Sequence, residues 1–160
     1  MSKNPLILKQ SEGEQLQVLG TQITFLCQAD RTDKAWSLME ATLPRDSGPP
    51  LHEHSWDEAY YVLEGEVLFT VGDRKTTVKQ GDFIYAPGGT LHAFQGTSEK
   101  PARLLIFDAP AAAEHFFRDV DREVRKMPED MSKVPEIGLR HGLRFVRPAP
   151  VKVTAVKVVR

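Results

Sequence analysis

His52-Glu53-His54-Ser55-Trp56-Asp57-Glu58 runs into Ala59-Tyr60-Tyr61-Val62-Leu63, turns at Glu64-Gly65, and continues as Glu66-Val67-Leu68-Phe69-Thr70-Val71. Aromatic and β-branched residues crowd both arms, and a glycine sits at the join, so the stretch reads as two antiparallel strands. On a strand, residues two apart share a face. His52 and His54 therefore present two imidazoles to one side. Glu58 has the same parity, and its carboxylate joins that side if the chain stays extended through Ser55-Trp56-Asp57. Asp57 then points away. Tyr60 and Val62 share the Glu58 face.

The same strand-and-turn rhythm extends in both directions. Upstream, Leu16-Gln17-Val18-Leu19 and Thr21-Gln22-Ile23-Thr24-Phe25-Leu26-Cys27 form the arms of a hairpin around Gly20, and Ala35 to Leu43 forms a further strand that ends at Pro44. Downstream, Gly72-Asp73 turns the chain into Lys75 to Lys79. Asp82 to Ala86 leads to Pro87-Gly88-Gly89, and His92 to Gln95 and Ala102 to Asp108 complete the series. Many short strands with turn residues between them predict an all-β sandwich or barrel. Closing the sheet removes exposed edges and brings His92 opposite the first histidine pair. Phe94 shares the face of His92, while Phe83 and Tyr85 share one face that the pattern does not identify.

From Pro110 the period changes. Ala113, Phe116, Phe117, Val120, Val124 and Met127 fall three or four apart, with charged residues between them, which predicts an amphipathic helix of about four turns. Pro110 suits its first turn and Pro128 stops it. A second short helix is expected from about Ser132 to His141, with Gly142 as a left-handed cap. Val151 to Arg160 alternates briefly and reads either as an edge strand or as a disordered tail. The expected organisation is one domain over 1–160: a barrel over about 14–109, a helical appendage over about 110–142 and a tail over about 143–160.

Composition narrows the function classes. The 160 residues hold 21 Lys and Arg against 22 Asp and Glu, a net charge of −1, which lacks the basic excess of a nucleic-acid binder. No apolar run approaches the roughly 18 residues needed to span a bilayer. The apolar run near the N-terminus, Leu6-Ile7-Leu8, is too short for a signal-peptide core, so a cytoplasmic protein is expected. Cys27 is the only cysteine, which excludes an intramolecular disulfide and a thiolate cluster. Neither Cys27 nor any serine stands in an acyl-transfer motif, and Gly88-Gly89 after Pro87 reads as a turn rather than a phosphate loop. His115 and His141 fall in the helical region and read as surface or capping residues.

Two sets of residues carry a family resemblance. Gly48, His52, His54, Glu58 and Gly65 form the first; Gly81, Pro87, Gly89 and His92 form the second. Together they resemble the cupin family, whose motifs read G-x5-H-x-H-x3-4-E-x6-G and G-x5-P-x-G-x2-H-x3-N. The chain departs at two positions. Three residues rather than five separate Gly48 from His52, and Gly96 stands in place of the final asparagine. Neither is a ligand position in the family's pattern. Pro101-Ala102-Arg103-Leu104-Leu105, Glu114-His115-Phe116-Phe117-Arg118, and Arg140-His141-Gly142-Leu143 with Pro148-Ala149-Pro150 are similar to the quercetin-dioxygenase-like subgroup.

The resemblance implies a double-stranded β-helix, or jelly-roll, barrel and a homodimer. It implies His52, His54, Glu58 and His92 as ligands of one divalent transition metal. Three imidazoles and a carboxylate suit Fe, Mn, Ni, Cu, Co or Zn without choosing among them. It also implies an oxygenase acting on a small enolic or aromatic molecule, with Glu58 as a base for the substrate hydroxyl. Glu58 as a ligand only remains open beside this. So do a non-redox isomerase or decarboxylase and a small-molecule-binding cupin without catalysis. Tyr60 and Phe94, by strand parity, are expected to line the substrate pocket or to fill the core.

Overall fold

A computed structural model describes residues 4–10 and 12–146. Eleven strands and two helices follow one another in the described residues: β1 (Glu14–Val18), β2 (Thr21–Cys27), β3 (Ser37–Leu43), β4 (His52–Glu53), β5 (Asp57–Glu64), β6 (Glu66–Val71), β7 (Arg74–Lys79), β8 (Phe83–Ala86), β9 (His92–Gly96), β10 (Ala102–Ala109), α1 (Glu114–Glu123), α2 (Val134–Arg140) and β11 (Arg144–Phe145). A 3-10 turn at Ala29–Thr32 separates β2 from β3, and another at Glu129–Lys133 precedes α2.

The strands form two antiparallel sheets. One has the order β1-β2-β3-β10-β5-β8, the other β11-β4-β9-β6-β7. The jelly-roll fold expected from the sequence is present, but the barrel is not closed. Among the described residues no ladder joins the two sheets, and β7, a sheet edge, has five of its six residues exposed. Packing two half-apolar sheets face to face buries the same alternating residues that a closed barrel would. The inward faces show the alternation directly. Ser37, Met39, Ala41 and Leu43 of β3 are buried, as are Glu58, Tyr60 and Val62 of β5 and His92, Phe94 and Gly96 of β9. Phe25, Met39 and Phe69 are almost wholly enclosed, and burial of each such side chain contributes about 1.5–3 kcal/mol.

The sheets bring distant parts of the chain together at β4. His52 pairs with His92 of β9 on one side and with Phe145 of β11 on the other. The helical appendage thus returns a strand to the edge where the histidines lie.

Helix α1 packs Phe116 and Val120, one turn apart, onto the sheet carrying β1 and β2. Asp108, at the end of β10, is buried and sets the start of the appendage. Its Oδ2 accepts from the Ala112 and Ala113 amides at 2.9 and 3.1 Å, and its Oδ1 accepts from the Ser37 hydroxyl. Arg118 holds α1 to β1 by donating to both oxygens of Glu14, at 3.1 and 2.8 Å. The helix is shorter than the periodicity predicts. It stops at Glu123 because the amides of Arg125 and Lys126 donate to the Asp130 carboxylate, both at 2.9 Å, instead of continuing the helical ladder. The second predicted helix divides into a 3-10 turn followed by α2, and Gly142 takes the expected left-handed conformation with φ 76°. No helix among the described residues is long and apolar enough to cross a membrane. The alternating stretch Val151 to Arg160 lies outside the described residues.

Candidate metal centre

The four residues that the sequence singles out converge. One ligand atom from each of His52, His54, Glu58 and His92 lies within 4.8 Å of the others, and all four side chains are buried. Strand parity is only part of the reason. β4 ends at Glu53, and Glu58 belongs to β5 in the other sheet. The chain therefore does not stay extended through Ser55-Trp56-Asp57 on one surface but crosses between sheets there. Imidazoles from the β4–β9 side meet a carboxylate from the β5 side. Asp57 does point the other way. It is exposed, accepts from the Tyr85 hydroxyl at 2.9 Å, and accepts from the Gly88 amide at 2.8 Å.

Each imidazole is oriented by a backbone carbonyl two residues away. Nδ1 of His52 lies 2.8 Å from Pro50 O, Nδ1 of His54 lies 2.9 Å from Trp56 O, and Nδ1 of His92 lies 2.8 Å from Thr90 O. A carbonyl only accepts, so each Nδ1 carries the proton and donates it. Nε2 is then the nitrogen of each ring left to offer a lone pair, the arrangement of an imidazole metal ligand.

The Nε2 atoms of His54 and His92 both lie 3.3 Å from Glu58 Oε2. His54 Nε2 is buried, and at that separation its orientation gives it no hydrogen bond. For His92 the Nδ1 proton is already committed to Thr90, so Nε2 faces a carboxylate oxygen with a lone pair unless a cation stands between them. A divalent ion standing among the four donors removes that conflict for all of them at once. The residues therefore fit a divalent ion, on an orphaned buried nitrogen and three fixed tautomers.

Protonation follows the same geometry. Burial, together with the neighbouring His92, pushes the His52 imidazole down to about 4, so it is neutral near pH 7. Burial opposes a charge on Glu58, but His54 and His92 outweigh it and hold the carboxyl well below its usual range. Burial also opposes a proton on His92, and the adjoining Glu58 carboxylate outweighs it, raising the imidazole. Tyr60 donates its hydroxyl to Glu58 Oε2; burial and that carboxylate keep the phenol protonated, well above its ordinary value.

Tyr60 and Phe94 are both buried and both border the cavity beside the cluster. Their rings stand edge to face, 5.3 Å apart. The cavity, about 50 Å³, also reaches Thr21, Ile106, Phe116 and Phe145. Phe83 and Tyr85 are exposed, which places their shared face outward and away from the cluster.

Two neighbours of the cluster were not singled out by the sequence reading. Trp56 stacks on the His54 ring at 4.0 Å and donates Nε1 to Glu58 Oε1 at 3.3 Å. Its parity with His54 and Glu58 was a usable signal. Phe145 lies against His52, with ring centroids 5.6 Å apart. No periodic signal marks it, because β11 is two residues long.

Comparison with known proteins agrees with this architecture. The cupin domain family matches residues 39–108, which contain all four clustered residues. An uncharacterized protein of Streptomyces coelicolor is 32% identical over 103 residues, covering 64% of this chain and 93% of its own length. The chain belongs to the cupin superfamily. An uncharacterized protein of Methanocaldococcus jannaschii is 40% identical over 75 residues, covering 46% of this chain, which spans 60% of that relative's length. Quercetin 2,3-dioxygenase of Bacillus subtilis is 25% identical over 117 residues, covering 72% of this chain, which spans 34% of the dioxygenase. Among solved structures, a predicted oxalate decarboxylase from Thermotoga maritima superposes with a TM-score of 0.60 at 22% identity, over 65% of this chain and 98% of that one, a likeness of fold.

Proposed function

We propose that this chain is a single-domain, metal-dependent cupin whose His52, His54, Glu58 and His92 hold one divalent transition ion, and that it is an oxygenase acting on a compact enolic or aromatic molecule. The observation that carries the reading is the set of three Nδ1-to-carbonyl hydrogen bonds, which leave two Nε2 atoms 3.3 Å from one Glu58 oxygen. Similarity to quercetin 2,3-dioxygenase supports the oxygenase part. The bound ion supplies Lewis acidity and, if it is Fe, Mn, Ni, Cu or Co rather than Zn, redox chemistry with dioxygen.

The chain's own residues have separable tasks in this reading. Glu58 Oε2 faces the imidazoles, and Oε1 carries only the long bond from Trp56 Nε1. Oε1 is therefore the atom placed to accept the proton of a substrate hydroxyl. Tyr60 stays protonated and orients Oε2. Trp56, Tyr60 and Phe94 form apolar walls that keep water from the reacting atoms and grip a flat or compact substrate.

Elemental analysis of untagged protein, followed by oxygen-uptake assays against small enols and then flavonols, tests the proposal. Near-stoichiometric Fe, Mn, Ni, Cu or Co with enol-dependent oxygen uptake is the expected result. Failure to hold any metal after reconstitution overturns it. The cavity of about 50 Å³ favours one second reading, in which a compact acid is isomerised, decarboxylated or simply bound without oxidation. Turnover undiminished without oxygen, or a resident Zn, selects that reading. The proposal also takes the protein to be a cytoplasmic homodimer, checked by light scattering. Tyr61, Phe83, Tyr85 and Phe107, exposed on the outer face of the first sheet, support a paired surface.

A further inference from the structure

Thr21 stands where the pattern calls for an apolar residue. It opens β2, whose inward positions continue as Ile23 and Phe25, all three buried. Valine has the same shape, an equal taste for strands and no hydroxyl to satisfy. Thr21 is 3% exposed, and its Oγ1 is buried without a hydrogen-bond partner. A buried hydroxyl left unpaired lowers the stability of the fold, so its presence asks for an occupant that completes it.

Thr21 is also one of the residues that border the cavity shared by His52, Glu58, Tyr60 and Phe94. The other polar groups there are committed. The Tyr60 hydroxyl and Trp56 Nε1 both donate to Glu58, and His52 Nδ1 is bonded to Pro50 O. Thr21 is thus the uncommitted polar side chain of this wall outside the four-residue cluster. The rest of the lining is aliphatic and aromatic.

We propose that Thr21 is a ligand-anchoring residue, its hydroxyl binding a second polar group of a compact, otherwise apolar molecule whose first oxygen is held at the cluster end of the same cavity. The substrate class is therefore a small molecule with two oxygen functions on an apolar frame, rather than a hydrocarbon with one. The inference rests on the metal-centre reading for the first anchor only. The second anchor is a property of Thr21 and the cavity.

The test uses Thr21→Val, which keeps shape and removes the hydroxyl, and Thr21→Ser, which keeps the hydroxyl. Protein loaded with Co(II) is titrated calorimetrically with propionate, butyrate and valerate, each paired with its counterpart hydroxylated at the terminal carbon. In the wild type, at least one hydroxylated member binds about three- to tenfold tighter than its plain partner, the range expected of one added hydrogen bond. Thr21→Val abolishes that preference at unchanged cobalt content and melts at the same temperature or higher. Thr21→Ser retains the preference. No preference in any wild-type pair overturns the proposal. So does a Thr21→Val protein that keeps it, or one that melts lower with its preference intact. Protein that takes no cobalt sinks the metal reading instead. The same pairs are then scored by thermal shift, where ligand-dependent stabilisation reports binding without any metal signal.

Discussion

His52 and His92 face each other across the β4–β9 ladder, with ring centroids 4.2 Å apart. They lie 40 positions apart in the chain, and the register of one short strand brings them together. A slip of one residue would turn one ring to the opposite face. The backbone carbonyls of Pro50 and Thr90 then fix how each ring is rotated. Strand register and ring rotation together give the cluster its preorganisation, and both are tied to backbone rather than to mobile side chains.

His54→Ala and His92→Ala each remove one of the four donors. Each is expected to lower metal affinity by more than the roughly 10- to 100-fold typical of losing an outer-shell partner. Chelator competition, read by metal content after dialysis, measures the loss. Full retention in both variants would mean that these histidines are core residues and the ligand assignment is wrong.

Tyr60→Phe separates support from ligation. The phenol donates to a fully buried carboxylate, and a hydrogen bond to a charged group is worth about 1.5–3 kcal/mol. The variant should lose about that much stability in urea, with Glu58 titrating higher than in the wild type. It should still bind metal, more weakly. A variant as stable as the wild type, with unchanged metal affinity, would remove Tyr60 from the site's machinery.

The sequence made the cluster legible for reasons that also mark where legibility ends. β5 and β9 alternate, so Tyr60, Val62 and Phe94 could be assigned to the inner face by parity, and they are buried there. His52, His54, Glu58 and His92 were legible through motif spacing as well as parity. The actual crossing from one sheet to the other at Ser55-Trp56 leaves no mark in a period-2 pattern. Elements of two residues, β4 and β11, are too short to carry any period. Helix α1 was overextended because Val124 and Met127 continue the apolar spacing, while the Asp130 carboxylate that captures the next amides acts from outside that pattern. Sheet closure was inferred from the cost of open edges, and a face-to-face sandwich meets the burial requirement without it.

Gly96 occupies the position at which the cupin motif carries asparagine. A Cβ there would lie 2.6 Å from Pro44 O and 3.0 Å from Leu43 O, both backbone atoms. Arg45 bridges to Gly96 in this same region, and the Gly96 carbonyl accepts from the Asp46 amide at 2.9 Å. The chain after His92 therefore runs close against the segment after β3, and glycine is what permits that approach. Gly96→Ala should cost about 1–3 kcal/mol by overpacking. A lower urea midpoint at unchanged slope is the expected signature. An alanine variant of full stability would show that the two segments separate easily.

Acid should weaken the carboxylate contacts that hold the helical appendage together. Asp130 is held down to about 2 by Lys133 and by the Lys126 and Arg125 amides. Asp119 is lowered by His141 and Arg122, and Glu123 by Arg140 and Arg122. A carboxyl with a folded-state pKa below its unfolded value stabilises the fold fully above the unfolded value. It loses that contribution as pH falls toward the folded value, because the unfolded chain then binds more protons. For Asp130 the window runs from the ordinary 3.8 down to about 2. Carbon-13 titration should place the Asp130 midpoint near the lower end, and thermal melts should show stability falling through this range. Asp130→Asn should lack that share of the acid sensitivity and be weaker than the wild type at pH 6. If the two proteins lost stability in parallel from pH 6 to pH 2, the Asp130 contacts that end α1 would have no part in the acid response.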